Sequence, residues 1–171
     1  MNNASEFELG QIFKEFGEER YANVLAKKVI QMRSGTILGT PTDFKNVIKE
    51  AFPRSSYAER NKVTKRAFQA VRIAVNQELL SLKTFLEKCP ELMEFDKGVN
   101  ITSGNNSLLM ILTFHSLEES MVMAAMTQWK RRKLGQYATK KFPILPSEEE
   151  LEENSRSKSA KMYSFLFGPE I

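Results

Sequence analysis

The 171-residue chain is mildly basic, with 25 lysines and arginines against 21 acidic residues and a net charge of +4. Its 42% apolar and 27% charged residues are typical of a globular protein and exclude a disordered chain. No apolar run approaches the roughly 20 residues that a membrane span needs. The single cysteine, Cys89, excludes an internal disulfide and a multi-cysteine zinc site. We expect an intracellular protein with one ordinary domain, alone or with a small appendage.

Helical periodicity dominates the first half of the chain. A serine followed three residues later by a glutamate gives capping-box spacing at the start of the first helix. The polar link 54–61 predicts a loop before a long helix whose small residues suit close packing on a sheet. The first predicted helix begins at the Ser5 cap and ends at Gly17. Three more are predicted: a helix over 18–33, a short helix after a Thr42 cap, and a long helix over 62–87.

A continuous apolar run, 108–113, follows an irregular stretch and predicts a strand that is buried on both faces, as in a parallel sheet. Ligands bind beyond the carboxyl ends of such strands in open α/β sheets. His115, Ser116 and Glu118 follow this end directly and are therefore candidate site residues. A lone histidine in this position is also often a hydrogen-bonded structural residue, and adjacent residues cannot form a catalytic triad. Both interpretations stay open.

The remaining pattern predicts a helix over 116–129, an extended piece at 142–145, a brief acidic helix from Ser147 and a final strand over 160–167. One buried strand with two short companions leaves an incomplete sheet, since sheets typically have about four to six strands. The basic run 130–133 is either a solvated helix end or, with Trp129 and Tyr137, a contact for RNA phosphates and a stacked base.

Two kinds of site can be excluded from the motifs. The eight glycines stand apart, so no glycine-rich phosphate loop can be drawn. The single histidine excludes any metal site that needs two.

Four stretches of the sequence form a recognisable set: 17–22 (GEERYA), 66–79 (RAFQAVRIAVNQEL), 113–119 (TFHSLEE), and 146–154 (PSEEELEEN) with Arg156 and 159–161 (SAK). In their order and spacing they resemble the ribosomal RNA small-subunit (cytosine-N4)-methyltransferases of bacteria and their mitochondrial methyltransferase-like homologues. The resemblance implies a Rossmann-like S-adenosylmethionine domain interrupted by a helical insertion.

The resemblance implies an α/β fold that is predominantly helical as it stands. Residues 1–61 would be the helical insertion, a candidate RNA-recognition domain, and 62–171 the carboxy-terminal part of the Rossmann-like domain. The family keeps its cofactor loop in an amino-terminal half that this sequence does not show. We therefore predict a truncated member, inactive alone, of a family that uses S-adenosylmethionine to methylate N4 of a cytidine in small-subunit ribosomal RNA.

The resemblance also assigns residues. His115, Ser116 and Glu118 would form the wall of a cytidine pocket. Two departures from the family lie at Glu119-Ser120, in place of Asp-Arg, and at Tyr163, in place of Arg. The loss of two arginines suggests weaker RNA binding or relaxed constraint. The predicted contacts with RNA phosphates are Arg66, Arg72, Lys130, Arg131, Arg132, Arg156 and Lys161.

Two other functions remain open: a non-catalytic remnant or isoform that binds RNA or a protein partner, and a helical interaction module without an RNA function. The unpaired sheet edge predicts self-association. We expect no membrane association, and a location in the cytoplasm of a bacterium or in the mitochondrion of a eukaryote.

Overall fold

The computed structural model describes residues 1–35, 37–93, 106–140 and 142–168. The chain divides into two compact units, Met1–Glu78 and Leu79–Ile171, and each unit has its own hydrophobic core. No helix in the described ranges is both long and apolar enough to cross a bilayer.

The described residues of the first unit form four helices. Three of them begin with a capping box, in which the side chains of Ser5, Thr40 and Ser56 accept a hydrogen bond from the backbone three residues later. Each box satisfies backbone N–H groups that have no partner within the helix. The helices are α1 (Glu6–Glu15), α2 (Ala22–Arg33), α3 (Pro41–Ala51) and α4 (Tyr57–Asn76).

The core of the first unit is formed by the facing sides of these helices. The rings of Phe13 in α1 and Phe44 in α3 stack with their centroids 6.0 Å apart. Gly17, directly after α1, lies so close to α4 that an added Cβ would be 3.0 Å from the carbonyl oxygen of Arg66. The small residues Ala67 and Ala70 of α4 are fully buried in the same core.

The structure corrects several predicted helix boundaries. The second helix begins at Ala22 rather than at residue 18, because Glu18 has a left-handed φ of 49°. The third helix is capped by Thr40 rather than by Thr42, since Pro41 suits the first helical position. The predicted loop 54–61 already contains the start of α4.

The predicted long helix over 62–87 is two helices. Gln77 has a left-handed φ of 53° and ends α4, and α5 (Glu78–Leu92) follows at once. Because α4 packs in the core of the first unit, this compact unit extends to Glu78. The assignment of an insertion and a catalytic domain to the two parts stays a prediction.

The second unit combines helices with a small antiparallel sheet. After α5 the elements are β1 (Ser107–Thr113), α6 (Ser116–Arg131), β2 (Gly135–Tyr137), α7 (Glu148–Glu153), a 3-10 helix (Ser155–Ser159) and β3 (Lys161–Phe167). The strand order in the sheet is β1-β3-β2, in which Leu109 pairs with Phe165, and Gly135 with Phe167. Trp129 of α6 packs against the rings of Phe165 and Phe167 at 5.4 and 5.1 Å between centroids.

The strand prediction for 108–113 is confirmed, but its predicted environment is wrong. β1 runs antiparallel to β3 rather than inside a parallel sheet. Leu109 and Thr113 are buried, whereas Leu108, Met110 and Leu112 are 52%, 60% and 54% exposed. The sequence does not indicate that only one face of this strand is buried, because the residues on its exposed face are apolar as well.

The other strands match the prediction unevenly. The final strand and the acidic helix before it are confirmed. β2 was not predicted, since it has only three residues and begins at a glycine, Gly135. Glycine is required there because φ is 155° and an added Cβ would lie 2.0 Å from the Leu166 carbonyl oxygen. The predicted extended piece forms one bridge, between Ile144 and Met162. A mostly helical chain with an incomplete sheet is therefore confirmed, and its Rossmann-like ancestry stays a prediction.

Candidate functional site

The turn from β1 into α6 is built by His115 and Glu118. His115 is the N-cap of α6, and its Nδ1 accepts a hydrogen bond from the Glu118 backbone N–H at 3.4 Å. The Glu118 carboxylate accepts in turn from the backbone N–H of Phe114 at 2.8 Å. The two side chains thus occupy the backbone N–H groups at the carboxyl end of β1. This geometry supports the structural interpretation of His115.

His115 keeps one buried polar atom that no described group satisfies. Because Nδ1 accepts a hydrogen bond, a neutral imidazole carries its proton on Nε2. Nε2 lies 3.3 Å from a Glu118 carboxylate oxygen, but no hydrogen bond forms between them, and within the described residues Nε2 has no other partner. Ser116 is the exposed first residue of α6. A pocket role for these three residues stays a prediction.

Glu119, next along α6, connects this helix to β3. Its carboxylate lies 2.7 Å from Lys161 Nζ and accepts a hydrogen bond from the Tyr163 hydroxyl at 2.5 Å. These two donors hold the pKa of Glu119 below its usual range. Burial, reinforced by the adjacent carboxylate, raises the pKa of Tyr163. Lys161, one of the predicted RNA contacts, is therefore engaged in an ion pair.

The two departures at 119 and 163 from the resembled family lie in this one contact. Tyr163 is fully buried and donates to Glu119. A side chain at 163 therefore points into the core of the unit rather than toward a surface. The departure at Tyr163 changes a buried contact, so it does not itself indicate weaker RNA binding.

Replacing Glu119 with glutamine (E119Q) is expected to reduce the loss of folding stability that occurs as the pH falls. A carboxyl whose pKa is lower in the folded protein contributes stability above its unfolded pKa of about 4.3, and this contribution is lost as the pH falls through the folded pKa. Glutamine keeps an acceptor for Tyr163 but loses the charge that attracts Lys161. Urea midpoints measured from pH 7 down to pH 3 should therefore decline more steeply in the wild type than in E119Q. The control is E152Q, which removes an exposed carboxylate of the same unit and should behave like the wild type. Urea midpoints that decline equally with falling pH in the wild type and E119Q would contradict the assignment of a lowered pKa to Glu119.

An open groove of about 620 Å³ lies at the carboxyl end of β1. Its apolar lining includes Leu112 of β1, Ile144 and Met162, together with the ring of Phe114, which is 49% exposed. Polar side chains from α7 and the 3-10 helix line it as well. The groove thus combines an apolar surface with a few charged and polar groups, as ligand sites do.

The polar lining of the groove is fixed by a network around Asn154. Its amide donates to the Glu150 carboxylate at 3.1 Å, and its side-chain oxygen accepts from the Arg156 backbone N–H at 3.2 Å. Buried Ser157 donates to the Asn154 carbonyl oxygen at 2.8 Å. Glu150 and Arg156 are therefore held at the same groove by the turn that follows α7, residues 154–157, here called the α7 turn. The Arg156 guanidinium forms no ion pair with any residue that the structure describes.

The predicted RNA contacts are distributed over both units. In the first unit, Arg66 lies 3.8 Å from the buried carboxylate of Glu19, and Arg72 is paired with Glu78 at 3.0 Å. In the second unit, Lys130 lies over the Tyr137 ring at 5.3 Å. Arg131 and Arg132 are exposed at the end of α6.

Of the predicted site residues, Arg156 is the one that lines the groove. Sequence analysis did not single out Phe114, Glu150 or Asn154. All three lie within the motifs that carry the resemblance, but no role for them could be assigned from spacing alone.

Comparison with known proteins identifies the family. The MraW methylase family matches residues 1–166. Three relatives named ribosomal RNA small subunit methyltransferase H come from Cyanothece sp., Sulfurihydrogenibium sp. and Leptospira biflexa, with 39%, 33% and 33% identity. The matches cover 95%, 95% and 97% of this chain but only 49%, 52% and 49% of the relatives, so the chain spans about half their length. The chain belongs to the MraW methylase family.

Proposed function

We propose that the chain takes part in S-adenosylmethionine-dependent N4-methylation of a cytidine in small-subunit ribosomal RNA. The observation that carries the proposal is the match of the methylase family to residues 1–166. The relatives are named as methyltransferases of small-subunit ribosomal RNA. The choice of cytidine and of the cofactor rests on the resemblance of the four sequence motifs.

The turn after β1 does not fit the cofactor. The sequence contains no glycine-rich loop that could hold it. At the carboxyl end of β1, the backbone N–H groups of Phe114 and Glu118 are already taken by Glu118 and His115, so this turn offers no cradle for an anionic group. We therefore propose that this chain positions the RNA, and that methyl transfer requires a cofactor-binding segment outside these 171 residues.

Positioning is the contribution that the chain's own groups can make. An exocyclic amine reacts only when its lone pair points at the methyl donor, and holding two reactants in this geometry is a major part of catalysis. In the Rossmann-like sheet that the resemblance implies, substrates lie beyond the carboxyl ends of the strands, and the groove lies at this end of β1. His115, Ser116 and Glu118 would act through the shape of the adjacent turn. The exposed Arg131, Arg132 and Arg156 would contact RNA phosphates.

Transfer of a labelled methyl group from S-adenosylmethionine to small-subunit ribosomal RNA tests the proposal. The chain is assayed alone and mixed with the half of a relative that it does not match, and the nucleoside product is identified after digestion. We expect N4-methylcytidine in the mixture and none with the chain alone. Product from the chain alone would support the activity but overturn the requirement for a second segment.

A non-catalytic RNA-binding role is the second candidate, and the missing glycine-rich loop favours it. It predicts binding of ribosomal RNA with a steep salt dependence and no methyl transfer in either assay. It also predicts that calorimetric titration detects no binding of S-adenosylmethionine. Failure of the folded chain to bind the RNA at all would overturn both candidates.

A further inference from the structure

We propose that the groove at the carboxyl end of β1 binds one cytidine nucleotide of the RNA, with Glu150 recognising the base and Arg156 binding its phosphate. The inference rests on the proposed function and specifies the residues that would select the substrate. The resemblance assigns Arg156 to RNA phosphates in general, without a nucleotide site, and it gives Glu150 no role.

The apolar part of the groove suits a nucleobase. Its volume of about 620 Å³ lies within the range of about 300–1,000 Å³ that is usual for small-ligand sites. Unpaired bases of RNA are commonly held by stacking on aromatic rings. The ring of Phe114 is half exposed at this groove, and Leu112 and Met162 supply aliphatic surface beside it.

The polar part distinguishes cytosine from uracil. Cytosine carries an exocyclic amine that donates to a carboxylate, whereas uracil has a carbonyl oxygen at the same position, which a carboxylate repels. One oxygen of the Glu150 carboxylate accepts from Asn154, and the other has no hydrogen-bond partner among the described residues. Glu150 can therefore accept from a ligand without breaking its contact to Asn154.

Arg156 supplies the complementary charge. Its guanidinium has no acidic partner in the described chain, and guanidinium groups bind phosphate through paired N–H donors. Because Asn154 holds both the Glu150 carboxylate and the Arg156 backbone, it is a positioning residue for both contacts. One cation beside one carboxylate suits a single nucleotide monophosphate better than a polyphosphate ligand.

The test is an NMR titration of the full chain, labelled at isoleucine and methionine methyl groups, with CMP, UMP and cytidine. We expect the methyl signals of Ile144 and Met162 to shift, and CMP to bind about fivefold or more tightly than UMP. E150Q should remove the preference for CMP over UMP, since an amide both donates and accepts. R156Q should make CMP bind no better than cytidine.

Matched controls separate these effects from general changes in charge. E149Q and R54Q make the same charge changes at exposed residues that do not line the groove, and both should bind like the wild type. F114L keeps an apolar side chain and should weaken CMP and UMP equally. Trp129 emission reports whether each variant is folded.

Two results would overturn the inference: unshifted Ile144 and Met162 signals at saturating CMP, or an E150Q variant that still prefers CMP. If methyl transfer in the mixed assay survives such a result, the proposed function stands and only this nucleotide site is lost. Nucleotide binding at the groove without methyl transfer in either assay would instead leave the site intact in a non-catalytic protein.

Discussion

Replacing Phe165 with alanine (F165A) is expected to unfold the second unit at much lower denaturant concentrations than the wild type. Phe165 is fully buried in β3 and packs against the rings of Trp129, Tyr137 and Phe167. Truncation of a buried phenylalanine to alanine costs about 3–5 kcal/mol, because apolar contacts are lost and a cavity remains. The net stability of a domain is only about 5–15 kcal/mol. The change therefore removes a large share of it.

Trp129 makes this loss directly measurable. It is the single tryptophan of the chain and lies against Phe165, so its emission reports the core of the second unit. A urea titration should show the Trp129 transition of F165A at a lower midpoint, with a red-shifted emission where the unit is unfolded. The matched control is F7A, since Phe7 is 73% exposed and lies in the first unit. An F165A midpoint equal to that of the wild type would contradict the assignment of this core.

Helix starts could be predicted from the sequence because capping is a local interaction. The serine and glutamate of the first capping box are separated by two residues, and the structure forms the box as predicted. The third helix shows the limit of this argument. Thr40 and Thr42 both precede an apolar pattern, and the choice depends on how Pro41 fits the first turn.

The surroundings of β1 could not be predicted, because they depend on residues far along the chain. A run of apolar residues predicts a strand but does not say which elements cover its faces. The partner of β1 is β3, which lies more than 40 residues later and aligns Thr113 with Lys161. The same limit applies to the break at Gln77, a residue type that carries no helix-ending signal of its own.

The groove illustrates why its lining could be predicted only in part. The sequence predicts a site directly after β1, and a groove lies at that end of the strand. The residues that follow there, His115 and Glu118, form the helix cap instead. The charged groups that face the groove come from the α7 turn, so only the tertiary fold brings them to β1.

The outer edge of β1 is expected to determine whether the chain self-associates. In the described parts of the chain β1 is the terminal strand of the sheet and pairs only with β3. Its outward residues are apolar, and an apolar edge strand with free backbone groups readily pairs with another chain. We expect the wild type to self-associate, with the lysine variant M110K largely monomeric.

Met110 is the informative position because it lies in the middle of β1 and is 60% exposed. A lysine there places a charge at the edge, a device that blocks pairing in natural sheets. Sedimentation velocity over a range of concentrations should show the dissociation constant rising about tenfold or more, which corresponds to about 1.4 kcal/mol. The control V75K introduces the same charge at an apolar residue of α4 that is 74% exposed, and it should associate like the wild type. A wild type that stays monomeric at every concentration would show that this edge does not drive association. An M110K variant that associates as strongly as the wild type would show the same, since it alters only the edge strand β1.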